Sequence, residues 1–192
     1  MSKVVITGNA SGTGDFTIAA PNSNTDRTLT LPDEAGTVLT TAGVPSSAMP
    51  SGSVLQVAHN TAGVVRYVGT ATTFTDTGFS VTITPKFANS KIKVDFTATV
   101  YNTGHYCYLN IYRNGTTSLG MDTSNGVTGA IAYYTTFWQN AASFIVDSPN
   151  TTSAVTYNLY AKIGAAGTIY VGISGSAVYP NAIYLSATEI AQ

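Results

Sequence analysis

The sequence predicts an all-β protein, a thin N-terminal β segment followed by a sandwich or jelly roll. Thr, Val, Ile, Tyr and Phe dominate the ordered-looking stretches, and these residues favour strands. From Ser53 onward apolar residues recur with a period of two, the mark of half-buried strands. Turn signals punctuate the alternations: Asn114-Gly115, Asn125-Gly126, Pro149-Asn150, Gly164 to Gly167 and Pro180-Asn181. No stretch of 53–192 sustains a helical period. The best helix candidate, Phe137 to Val146, is short and reads equally as strand.

Residues 1–45 form the first expected unit. Arg27 to Pro32 alternates, with Leu29 and Leu31 on one face, and Pro21 and Pro32 stop what precedes them. Large apolar side chains are sparse here. Ordering costs roughly 1–2 kcal/mol per residue, so this segment must pack on something else to be ordered. Residues 46–52 have linker composition.

Residues 53–192 form the expected head, with enough chain to bury a core. Val81 and Ile83 alternate with Thr. Ile92, Val94, Phe96, Ala98 and Val100 share a face, opposite Lys91, Lys93, Asp95, Thr97 and Thr99. Cys107, Leu109 and Ile111 oppose Tyr106, Tyr108, Asn110 and Tyr112. Val155 to Ile163, Ile169 to Ile173 and Ile183 to Ala187 supply three further stripes. Roughly eight to ten strands at this spacing indicate a sandwich or jelly roll.

Composition excludes several classes of function. Charged residues are 9% of the 192 residues and net charge is −1, so there is no electrostatic footprint for nucleic acid or an anionic membrane. Hydrophobic residues are 44%, with 12 Tyr and 7 Phe, which a disordered chain would not carry. The charge-free stretches 123–146 and 163–188 are broken by Gly, Ser, Asn and Thr and do not read as membrane spans. Val4-Val5-Ile6 is too short an apolar run for a signal peptide, so synthesis in the cytoplasm is expected.

A search for catalytic chemistry finds no positive signal. The lone cysteine, Cys107, excludes an intrachain disulfide, and its apolar phase predicts a buried, inert thiol. His59 and His105 lie far apart and read as surface residues rather than metal ligands. Gly172 to Ser176 fails the last position of a nucleophile elbow, and Gly8 to Gly14 lacks the lysine of a phosphate loop. The few carboxylates form no recognisable glycosidase pair. No enzyme, cofactor or metal is expected.

Two stretches carry a resemblance. The first is Gly14-Asp15-Phe16-Thr17-Ile18-Ala19-Ala20-Pro21, continued by Arg27 to Pro32 and Gly36-Thr37-Val38-Leu39-Thr40. It resembles the short repeat of bacteriophage tail-fibre and other virion fibre proteins, in which three chains wrap together. The second runs from Phe74-Thr75-Asp76-Thr77-Gly78-Phe79 to Ser90-Lys91-Ile92. It is similar to the opening of the C-terminal heads of such proteins, jelly rolls like those of trimeric C1q and tumour necrosis factor. The resemblance implies an intertwined N-terminal segment that attaches to other virion proteins, a C1q/TNF-like jelly-roll head, a homotrimer and a place on the virion. This chain has a single shaft-like unit, so a tail fibre, a head fibre and a capsid decoration protein that clamps the shell all remain open. A glycan-cleaving depolymerase is the remaining alternative, without a catalytic signature.

The aromatic residues are the best functional candidates, because ring faces stack on sugars and anchor protein interfaces. Tyr106, Tyr108, Tyr112 and Trp138 are the expected ligand-binding residues, with a host surface glycan as their partner. The same rings could instead be the subunit interface of an oligomer.

Overall fold

The computed structural model describes residues 11–15, 17, 22–26, 28, 49–62, 66–120, 131–133, 138–172 and 183–192. The chain divides into two units, Met1–Val38 and Leu39–Gln192. The alternation at Arg27 to Pro32 and most of the first motif lie outside the described residues, as do Ile173, Tyr134 and Phe137.

Eleven strands and no helix occur among the described residues, all of the strands in the second unit: β1 (Val54–Ala62), β2 (Arg66–Gly69), β3 (Thr75–Ile83), β4 (Lys91–Thr103), β5 (Cys107–Arg113), β6 (Thr117–Ser118), β7 (Ile131–Tyr133), β8 (Gln139–Asp147), β9 (Val155–Ile163), β10 (Thr168–Gly172) and β11 (Ile183–Ile190). Phe137 to Val146, the ambiguous helix candidate, is therefore mostly strand β8. All pairings are antiparallel.

The register fixes the topology. Val100 of β4 pairs with both Gln139 of β8 and Val171 of β10, and Ile92 pairs with both Asp147 of β8 and Glu189 of β11. A residue has one neighbour on each edge, so β10 and β11 lie end to end on one side of β4, with β8 on the other. By the same argument β2 and β1 lie end to end outside β10 and β11. Sheet 1 is thus four rows: β1/β2, β11/β10, β4, β8. Sheet 2 is also four rows: β3, β9, β5, and β6 with β7. Numbered along the chain, the eight rows run 1-8-3-6 in one sheet and 2-7-4-5 in the other. That is jelly-roll connectivity.

The expected stripes meet between the sheets in one core. It includes Phe79, Val81 and Ile83 of β3, Ile92 to Val100 of β4, Cys107, Leu109 and Ile111 of β5, and Val155, Tyr157, Leu159 and Ala161 of β9. Ile169, Val171, Ile183, Leu185 and Ala187 complete the sheet 1 side. Cys107 is buried, as its phase predicted.

Two polar residues close the sandwich. Glu189 of β11 is 0% exposed and accepts the backbone N–H of Lys86 at 2.7 Å and of Phe87 at 3.2 Å, and the Gln56 amide at 2.6 Å. It thereby fixes the β3–β4 turn against sheet 1. Asp147 of β8 accepts from Arg113 Nη1 at 2.9 and 3.0 Å and from the Tyr157 hydroxyl at 2.9 Å, tying β8 to β5 and β9 of the other sheet. A desolvated ion pair holds only when such extra hydrogen bonds satisfy it.

Candidate functional site

With the core between the sheets, the outward faces are the broad described surfaces on which a site could be built, and the two differ. On sheet 1, Val57, Thr188, Lys93 and Val146 form one cross-strand row, and His59, Ser186, Asp95 and Phe144 the next. Tyr184, Thr97 and Ala142 follow. Further along, Val68, Tyr170 and Tyr101 share a row. Six of the seven exposed large hydrophobics of the described residues belong to this sheet: Val54, Val57, Val68, Phe144, Val146 and Tyr184, each between 46% and 61% exposed.

Strand β8 is inverted. Its outward positions are Asn140, Ala142, Phe144 and Val146, while Ser143 and Asp147 point inward with Ala141 and Ile145. The charges on this face are largely satisfied. Lys93 pairs with Asp95 at 2.7 Å and lies 5.1 Å from the Phe144 ring centre, and Lys91 donates to Ser148 Oγ at 2.5 Å. Trp138 lies beside this face, stacked on Tyr101 at 5.3 Å and edge-on to Tyr170 at 6.3 Å.

Sheet 2 presents rings and polar groups. Tyr108 and Tyr112 of β5 point outward, as their phase predicted. Asn110 shares that phase but is fully buried, because the chain folds back over it: its Nδ2 donates to Ser118 Oγ, and Gly120 packs on its amide. Tyr106 precedes the strand instead of lying on it, and is 50% exposed beside His105. Tyr112 stacks on Tyr160 of β9 at 4.1 Å, and Phe74 tilts against Tyr112 at 5.9 Å. The Lys162 ammonium lies 4.8 Å from the Phe74 ring centre and 5.0 Å from that of Tyr108. Partial burial, then the nearby Asp76 carboxylate, raises the Tyr160 phenol above its ordinary pKa.

The four predicted ring residues therefore do not form one site. Tyr108 and Tyr112 share the sheet 2 face, Tyr106 lies in the turn before them, and Trp138 joins Tyr101 and Tyr170 on sheet 1. Phe74, Tyr160 and Lys162 were not predicted. The polar phase of β9, Thr156-Asn158-Tyr160-Lys162, was the available signal. Among the described residues no group of three or more His, Cys, Asp or Glu could hold a metal, and no helix is long and apolar enough to cross a membrane.

Fold and faces together define the class: an all-β jelly-roll sandwich whose sheet 1 carries most of the exposed large apolar side chains of the described residues and whose sheet 2 presents rings and polar groups. No protein family matches the chain, and no curated protein is significantly similar to it. Among solved structures it is similar to a chain from the structure of infectious bursal disease virus, Gt strain, with 15% identity and a TM-score of 0.33. The match covers 73% of this chain and 39% of the viral one.

Proposed function

We propose that this chain is a non-enzymatic structural module of a bacteriophage virion, a fibre or spike. In this reading its jelly-roll heads associate as a homotrimer through the outward face of sheet 1 and turn sheet 2 outward for host attachment. The observation that carries it is the inverted strand β8, with Phe144 61% and Val146 57% exposed while Asp147 points inward. Exposed large apolar side chains side by side on one strand face, as Phe144 and Val146 are, mark an interaction site. Four rows about 4.8 Å apart and roughly 25 Å long give a plan area of about 400–500 Å². Side-chain relief brings this within reach of the roughly 800 Å² per partner of a stable interface. Few charges need desolvation, so a second copy of the same face is a suitable occupant. The number three and the attachment of residues 1–45 to other virion proteins come from the fibre resemblance.

Light scattering coupled to size exclusion tests this reading. The expected mass is about 60 kDa, three times the 19.9 kDa chain. Phe144→Asp and Val146→Asp should each release folded monomer, since they bury an unpaired charge at the interface. A folded wild-type monomer at micromolar concentration overturns the trimer. If that monomer binds isolated capsid shells, the protein is a decoration protein instead.

A further inference from the structure

We infer that the outward face of sheet 2 is a binding site for an acidic saccharide, with Lys162 as the anion-binding group and Tyr108, Tyr112 and Phe74 as the sugar-stacking surface. The inference rests on the attachment reading above and names its ligand class. Three strands from distant parts of the sequence build the site. Tyr108 of β5 stands directly across from Lys162 of β9, and Phe74 immediately precedes β3, whose Thr75 pairs with Ala161. The three therefore form one row, with the cation held between two rings. The cation–π contacts hold the ammonium in place without neutralising it. No carboxylate pairs with Lys162 among the described residues: the two ion pairs there are Lys93–Asp95 and Arg113–Asp147. Asp76, an acid of this face among the described residues, is engaged elsewhere. Its Oδ1 accepts from Gly78 N at 2.8 Å and its Oδ2 from Asn158 Nδ2 at 3.2 Å.

Such a site suits a pyranose carrying a carboxylate. The charge meets the ammonium, the apolar C–H faces meet the rings, and the hydroxyls meet Asp76, Asn158 and the Tyr112 and Tyr160 phenols. A nucleic acid would need a row of cations, and this face supplies one. An apolar peptide would find the ammonium in its way.

The test uses the intact protein against a panel of uronic-acid- and sialic-acid-containing oligosaccharides, each beside its carboxyl-reduced neutral counterpart, by calorimetry. At least one acidic member should bind, with its reduced counterpart weaker by about tenfold, as befits one charge-assisted contact. Lys162→Gln should abolish that preference while leaving mass and melting temperature unchanged. Tyr108→Ala should weaken acidic and neutral ligands alike, again by about tenfold. Phe144→Asp, which acts on the other sheet, should leave saccharide affinity per chain unaltered. Absence of acidic binding by the wild type at ~1 mM overturns the site. So does equal binding of acidic and reduced ligands, or a Lys162→Gln variant that keeps the preference. Because oligomer mass is read on the same samples, a failed site is distinguishable from a failed trimer.

Discussion

Asp147 is the inward acid of a strand whose Phe144 and Val146 face out, and its three hydrogen bonds explain how an edge strand can be built this way. Removing it leaves the Tyr157 hydroxyl without its acceptor and the Arg113 guanidinium with only the long contact to Ser148 O at 3.5 Å. Asp147→Ala should therefore cost about 3 kcal/mol, read from urea melts. The figure stays at the low end for a buried pair because the Arg113 side chain is 25% exposed. Tyr157 adds a pH dependence. Burial first, then its hydrogen bond to Asp147, raises its phenol well above the ordinary tyrosine value. The folded state thus favours the neutral phenol. The associated stability is fully present below the unfolded pKa of about 10 and is lost as pH rises beyond it. Wild type should lose melting temperature between about pH 9 and 11 faster than Tyr157→Phe. Parallel curves for the two proteins would dissociate Tyr157 from alkaline unfolding.

At the scale of elements, the Phe74 to Ile92 motif shows its physical purpose. Asp76 Oδ1 accepts from Gly78 N, Gly78 adopts φ +82°, and the Thr77 hydroxyl donates to Leu159 O at 2.6 Å. These contacts form the irregularity between Asp76 and Phe79 that puts Phe79, Val81 and Ile83 into the core. A second glycine shapes the β4–β5 turn: Gly104 has φ +89°, and a Cβ there would lie 2.9 Å from Ala166 O. Gly104→Ala should cost about 1–3 kcal/mol, read from thermal melts. The strands β4, β5, β9, β10 and β11 were legible because each alternates cleanly over a core stripe. β8 was ambiguous because its apolar residues lie on both faces, Ala141 and Ile145 toward the core and Phe144 and Val146 away from it, so no alternation marks the buried side. Asn110 escaped prediction because the chain just beyond its strand turns back to cover it, which strand periodicity does not reveal. The Phe74–Lys162–Tyr108 row escaped because strand order, not sequence proximity, assembles it. Tyr108 and Tyr112 were legible because they share one phase of one strand.

At the scale of the molecule, the sandwich has a complete core of its own, and every described strand lies within Leu39–Gln192. A fragment spanning 53–192 should fold alone, with a strand-type circular dichroism spectrum and a cooperative melt. An unfolded fragment would show that the head depends on the preceding segment. On the proposed reading the two faces take separate roles, sheet 1 in association and sheet 2 in attachment, where the sequence left the same rings as either ligand platform or interface. Trp138 belongs to the apolar side, so Trp138→Ala should lower oligomer mass at limiting concentration. Tyr112→Ala should preserve that mass and reduce adsorption to host cells. The reverse assignment would exchange the roles of the two sheets.

The chain enters and leaves the sandwich at one corner. Gly52 N donates to Ala191 O and Ala191 N donates to Ser53 O, both at 2.9 Å, beside the Val54–Ile190 pair that begins the β1–β11 ladder. A pull on residue 52, with the rest of sheet 1 held, runs along β1 and loads the β1–β11 hydrogen bonds together in shear instead of peeling them one by one. Bonds loaded in parallel share the force, which slows forced unfolding. A domain held through residue 52 is thus mechanically strong along β1, whatever holds the other end of sheet 1.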